Sequence, residues 1–240
     1  MRILVDHLTR MQWPHICVAG VAVETGRWVR PLPPPPSRLT VDHSASRRGP
    51  FGLGMFVDIG IAVPIPQAPE VEDHRFDTAG ARSLGSASPA TFWRHLSRHA
   101  EDRLTTVFGG DLQRHGGTCA VDVGRGSRSL GVMRPAGGVV LRMWTGNRSG
   151  VKVEFEDPEL GDLSVSLTDL RCFDAEGARE DVVRWLTSEA HTTGALLSVG
   201  LSRPWHRPQD ATERHWLQVN NIHLENAPLW SVQASPASPG

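Results

Sequence analysis

The sequence predicts a mainly β protein with a minor helical part: two small Greek-key barrels, a connecting helix and one late helix. Three observations carry this. Short runs alternate apolar and polar residues with a period of two, as in Ala195–Ser202, where Leu197, Val199 and Leu201 alternate with Ser198, Gly200 and Ser202. Glycine-bearing reversals such as Thr25-Gly26 and Gly137-Gly138 separate such runs. Only two stretches space their apolar residues as a helix does. At 240 residues the chain suits one large or two small domains.

Ile3–Val5 opens as a short strand, and Trp13-Pro14 makes a turn after it. His15–Glu24 and Arg27–Leu32 form a hairpin around Thr25-Gly26, where glycine supplies the positive φ of a tight reversal. Pro33 to Pro36 cannot donate to a ladder, so the strand ends there and a rigid exposed loop begins, a possible docking point for a protein partner. Ser37–Pro50 reads as loop and Met55–Val63 as strand. Pro64, Pro66 and Pro69 then force an extended edge path toward Glu70–Asp77. Ala79–Ala87 is small and polar, a linker by composition.

Ser88-Pro89 is an N-cap followed by proline at the first helical position. Phe92, Leu96, Ala100, Leu104 and Val107 recur at helical spacing up to Gly109-Gly110. Five further strands are expected over Thr118–Val123, Ser129–Met133, Val139–Trp144, Val151–Glu156 and Leu163–Leu167, with a reversal at Asn147–Gly150. A second helix, Glu176–Glu189, has Val182, Val183, Leu186 and Ala190 on one stripe and Asp174 as its cap. Ala195–Ser202 and His215–Leu224 follow, joined by an Arg203-Pro204-Trp205 corner. Residues beyond Glu225 are rich in Pro, Ala and Ser and read as disordered, with Trp230 tacked down. The expected division is 1–87, first barrel; 88–115, helical connector; 116–225, second barrel; 226–240, tail. Arg-Pro ends three strands, at Arg30-Pro31, Arg134-Pro135 and Arg203-Pro204, a faint echo of duplication.

The net charge of −1 argues against the broad basic field of a non-specific DNA coater. Lys152 is the only lysine. Cys17, Cys119 and Cys172 stand singly, with no C-x-x-C pair, which excludes a zinc ribbon and argues for buried thiols in a reducing compartment. The N-terminus reaches Asp6-His7 too early for a signal-peptide core, and no apolar run approaches the ~18 residues of a membrane span. A cytoplasmic protein is expected.

In His215–Leu224, Leu217 and Val219 share one face while Trp216, Gln218 and Asn220 share the other. An indole flanked by carboxamides suits a flat heteroaromatic ligand such as a nucleobase. With Arg10, Trp28, Arg30, Arg203 and Trp205, these residues form the expected ligand surface, its partner single-stranded DNA, RNA or a nucleotide. The alternative is a metal-dependent nuclease or phosphoesterase using Asp6, His7, Asp73 and His223, part of a looser set near strand ends that includes Glu72 and Asp169. His95 and His99 sit four apart on the first helix, as a zinc pair would, but a solvated helix face is the simpler account. There is no G-x-S-x-G elbow, P-loop or G-x-G-x-x-G fingerprint. Neither a catalytic nucleophile nor a cofactor is expected.

The sequence resembles the dual OB-containing domain family of bacterial proteins. The likeness lies in Pro14–Gly20 with Trp28-Val29-Arg30-Pro31, in Glu72-Asp73 and Thr168–Arg171, and most of all in Gly200–Pro204 and His215–His223. The resemblance implies two OB-like barrels and a nucleic-acid or nucleotide-binding role, with no catalytic residues to carry over.

Overall fold

The computed structural model describes residues 1–144, 150–208 and 210–231. The first sheet contains β1 (Arg2–Arg10), β2 (Ile16–Ala22), β3 (Trp28–Leu32), β4 (Met55–Asp58), β5 (Ala62–Pro64), β6 (Asp73–Phe76) and β7 (Arg82–Ser86). Their order is β5-β6-β3-β2-β1-β4-β7. The β2–β3 reversal forms at Thr25-Gly26, with Gly26 at φ 68°. β6 closes the meander by running parallel to β3, setting Asp73 opposite Arg30. Ile3, Val5, Val18, Val29, Phe51 and Val57 fill the interior. The segment expected as a linker instead holds β7, paired antiparallel to β4. Every β7 side chain is exposed, so it is an edge strand with nothing to bury.

Ser88 caps α1 (Pro89–His99) by accepting the Thr91 N–H. The helix expected to reach Val107 is broken: β8 (Ala100–Glu101) intervenes before α2 (Leu104–Phe108). Ala100 lies in extended register beside Val132, and an Asp157 carboxylate accepts the Leu104 N–H at 2.7 Å to start α2 afresh.

The second sheet adds β9 (Gln113–His115), β10 (Thr118–Asp122), β11 (Leu130–Met133), β12 (Val140–Trp144), β13 (Gly150–Asp157), β14 (Gly161–Leu167), β15 (Ala195–Leu201) and β16 (Arg214–Leu224). Its main path is β12-β13-β14-β16-β15-β11-β8, with β10 also on β16 and β9 on β10. The plan repeats, since the meander β12–β13–β14 is again closed by a parallel strand, β16. α3 (Glu180–Thr192) packs Val182, Val183, Leu186 and Ala190 inward. It starts later than expected because Asp174 accepts from Glu176 and Gly177 in a turn of its own. The Asn147–Gly150 reversal falls largely on residues outside those described. Residues 226–231 belong to the fold: Trp230 is buried, donates to the Ile222 carbonyl and lies under the Arg171 guanidinium. The rest of the expected tail, 232–240, lies outside the described residues. No helix among the described residues is long and apolar enough to cross a membrane.

The barrels meet along β1 and β16. Asn221 accepts from the Leu8 N–H at 2.8 Å and donates to the Leu8 carbonyl at 3.0 Å, so one carboxamide replaces a missing strand partner. Ser198 Oγ donates to the Asp6 carbonyl and lies 2.9 Å from His223 Nε2. Leu4, Phe92, Leu96, Val132 and Leu196 pack beside this seam. Burial, aided by Arg171, pushes the His223 imidazole down to about 3. Burial alone would raise the Asp6 carboxyl, but bonds to His7 and His95 hold it below its ordinary value.

Asn221→Ala is expected to lower the unfolding free energy in urea by about 2–4 kcal/mol, because it strands a buried N–H and a buried carbonyl. Acidification has a definite sign. His223 stays neutral in the fold but takes up a proton near 6.5 when unfolded, so its contribution is complete above 6.5 and lost progressively below. The Asp6 contribution is lost only at lower pH, below its ordinary 3.8. Unfolding free energy is therefore expected to fall by about 2 kcal/mol between pH 7 and 5, a loss that His223→Gln should largely abolish.

Candidate functional site

Alternation on β14 puts Leu163, Val165 and Leu167 inside and Ser164 and Ser166 outside. Register then carries one level of side chains across four strands: Arg142 beside Lys152, Lys152 beside Ser166, Ser166 beside Gln218. The next residue across is Gly200. A Cβ there would fall 2.4 Å from Asn220 Nδ2, so the missing side chain makes room for the Asn220 amide.

One edge of β16 is shared. β10 pairs with it at Arg214–Trp216 and β14 at Gln218-Val219. Where the two diverge a cavity of about 400 Å³ opens, lined by Lys152, Ser164, Ser166, Trp216 and Gln218, with Trp144 and Trp205 as walls. Trp216 is its floor rather than a free platform: it is 2% exposed, its indole N–H donates to the Trp205 carbonyl, and the Arg207 guanidinium lies 3.6 Å over its ring. Trp205 and Trp144 are the exposed rings, at 44% and 40%. A second cavity, of about 300 Å³, lies between the barrels and shares Trp205 and Gln218 with the first. Arg10, Arg30, Arg203 and Asn220 line it.

The cations divide into two groups. Arg30 is buried with its Nε 2.5 Å from Asp73. Arg203 Nη2 donates to the other Asp73 oxygen at 2.8 Å, and its Nη1 lies 2.9 Å from Glu70, out of line for a hydrogen bond and so an ion pair only. Burial would lower the Arg203 guanidinium, but Asp73 and then Glu70 outweigh it and hold it above its ordinary value. Glu72 accepts from the Ser129 N–H and hydroxyl, which ties this acidic turn to the second barrel. Arg10, Lys152 and Arg207 have no ion-pair partner among the described residues. Burial lowers all three, and the charge of Arg207 lowers Lys152 further. Among the cations that line the two cavities, these three are the ones outside an ion pair, with Asp210 offsetting part of the lowering at Arg207.

Of the residues singled out in the sequence, Arg10, Arg203, Trp205, Trp216, Gln218 and Asn220 come together around the two cavities. Arg30 reaches the inter-barrel cavity with its charge already matched. Trp28 does not join them: it is half-buried, edge-on to His7 and His99 in the seam. The Asp/His set is split. Asp6, His7 and His223 share the buried seam, where Asp6 bonds His7 and His95 and Ser198 links the Asp6 carbonyl to His223, whereas Asp73 stands apart, held by two arginines. Among the described residues no three or more His, Cys, Asp or Glu are placed to hold a metal ion. His95 and His99 lie in the seam instead of on a solvated face, with burial and then His95 lowering His99. In the polyproline loop Pro33 is buried and Pro34 to Pro36 are exposed. The sequence reasoning missed Lys152, Ser164, Ser166 and Arg207. The polar phase of β13 and β14 signalled the first three, whereas Arg207 lies in a loop with no period to read.

Arg203→Ala is expected to cost about 2 kcal/mol of stability by leaving Asp73 and Glu70 short of a partner, whereas Arg207→Ala should cost under about 1 kcal/mol. Chemical denaturation of the two variants side by side separates the structural cation from the available one.

Residues 3–222 match the sequence profile of the dual OB-containing domain. No curated protein sequence matches the chain. With two meanders each closed by a parallel strand, and a profile match over nearly its whole described length, the chain belongs to the dual OB-containing domain family.

Proposed function

We propose that the joined cavities bind single-stranded nucleic acid or a nucleotide-containing ligand. Trp205 offers the stacking face, Gln218 and Asn220 the donor–acceptor pairs for a base edge, and Arg10, Lys152 and Arg207 the charge for phosphate. Residues 1–87 and 116–225 supply opposite walls of the inter-barrel cavity, 116–225 alone lines the other, and 88–115 connects the two parts. The observation that carries this reading is electrostatic. In a chain of net charge −1, the described residues lining the two cavities include three cations outside any ion pair, Arg10, Lys152 and Arg207, two already paired, Arg30 and Arg203, and no carboxylate. OB barrels serve many ligands, and it is this lining that favours an anionic aromatic one. A cytoplasmic location accords with such a ligand.

Tryptophan fluorescence titrated with short single-stranded DNA and RNA at two salt concentrations tests the proposal. Saturable binding is expected. With three available cations, log Kobs should fall with log salt at a slope of about −2. Trp205→Ala should weaken binding about 10-fold or more, the worth of one stacked base. A flat response to both polymers and to mononucleotides would overturn the reading.

A further inference from the structure

The cavity below Trp205 is better equipped for phosphate than a strand passing through would require. It gathers Lys152, Arg207 and the hydroxyls of Thr118, Ser164 and Ser166 within about 400 Å³. Lys152 Nζ already reaches Ser166 Oγ at 3.4 Å, so the ammonium and that hydroxyl point into one space. The Thr118 and Ser164 hydroxyls have no hydrogen-bond partner among the described residues, although Thr118 is only 3% exposed. The nearest carboxylate along the β13 face, Glu154, is taken by Arg142 at 2.6 Å and leaves Lys152 uncompensated.

A phosphodiester presents two free oxygens and one charge. A phosphomonoester presents three oxygens and a charge of about −1.5 to −2 at neutral pH. Two cations and three hydroxyls match the second. Resting on the binding function proposed above, we infer that this cavity holds a nucleotide phosphomonoester, its base against Trp205 and its phosphoryl group on Lys152, Arg207 and the three hydroxyls. The inter-barrel cavity, with Arg10 and Asn220, takes the next nucleotide. The groove thus receives a phosphorylated strand end, or the same group on a free mononucleotide.

Fluorescence anisotropy with labelled octanucleotides bearing a 5′-phosphate, a 3′-phosphate or hydroxyls at both ends tests this, with unlabelled nucleoside 5′- and 3′-monophosphates as competitors. One phosphorylated end is expected to bind at least about 10-fold tighter than the hydroxyl-ended strand, the effect of one hydrogen bond to a charged group. Lys152→Ala and Arg207→Ala should each bring that ratio toward one, while Arg10→Ala, in the other cavity, should weaken both strands by the same factor. Strong competition by a monophosphate would identify the free nucleotide as the source of the group, and weak competition the strand end. Equal binding of all three octanucleotides would overturn the inference and leave the binding function standing. Failure of every strand and monophosphate to bind would overturn both.

Discussion

The carboxamide of Asn221, closing two hydrogen bonds on the backbone of Leu8, is the contact on which the rest of the molecule depends. β1 is an interior strand of the first barrel, between β2 and β4, and β16 the shared strand of the second, so fixing one to the other fixes the barrels. A side chain that imitates a peptide group achieves this without merging the two sheets. The surrounding Asp6, His7, Ser198 and His223 are fully buried and bonded to one another or to backbone. Such a network tolerates little rearrangement, because any opened bond leaves a polar group in a dry place. The cavity between the barrels inherits its shape from that rigidity.

The second constraint is where the acids go. Glu70, Glu72 and Asp73 are all buried, and their partners come from both barrels: Arg30 from the first, Arg203 and Ser129 from the second. This cluster pins the acidic turn across the seam, matches the charges of Arg30 and Arg203 and keeps the three carboxylates off the lining of the groove. The field there is left to Arg10, Lys152 and Arg207. A chain of near-zero net charge thereby acquires a cationic concavity at this place, by internal pairing and not by an excess of basic residues.

Much of the fold was legible because period-two alternation reports a strand with one buried face. β15 and β16 show that pattern clearly and match their expected limits to within a residue or two. β7 was invisible, since an edge strand with all side chains in solvent has no buried face to mark it. The break between α1 and α2 was equally hidden: Ala100 fits the helical stripe, and only its non-local pairing with Val132 makes it extended. At the site, sequence revealed which residues were aromatic or cationic but not how their bonds were distributed. Arg30 and Arg203 looked as available as Arg10, because their partner Asp73 lies 43 residues from the first and 130 from the second. Trp28 shares a strand face with Arg30, but that face turns into the seam, a choice made by the docking of α1. The three Arg-Pro strand ends do not occupy equivalent places either. They close β3, β11 and β15, whereas the repeated plan equates β3 with β14.

The solitary lysine has a consequence of its own. Within these 240 residues the only other aliphatic amine is the α-amino group of Met1, which donates to the Gly60 carbonyl on the first barrel and is not part of the groove's lining. Lys152 is half-sheltered, and burial and Arg207 hold its ammonium less firmly protonated than an ordinary lysine. Acylating or carbonyl reagents that would speckle the surface of most proteins have one side chain to find here, in the lining of the concavity. Neutralising that amine, by enzymatic acetylation or by chemical accident, would strip charge from the groove while leaving every ion pair of the seam untouched.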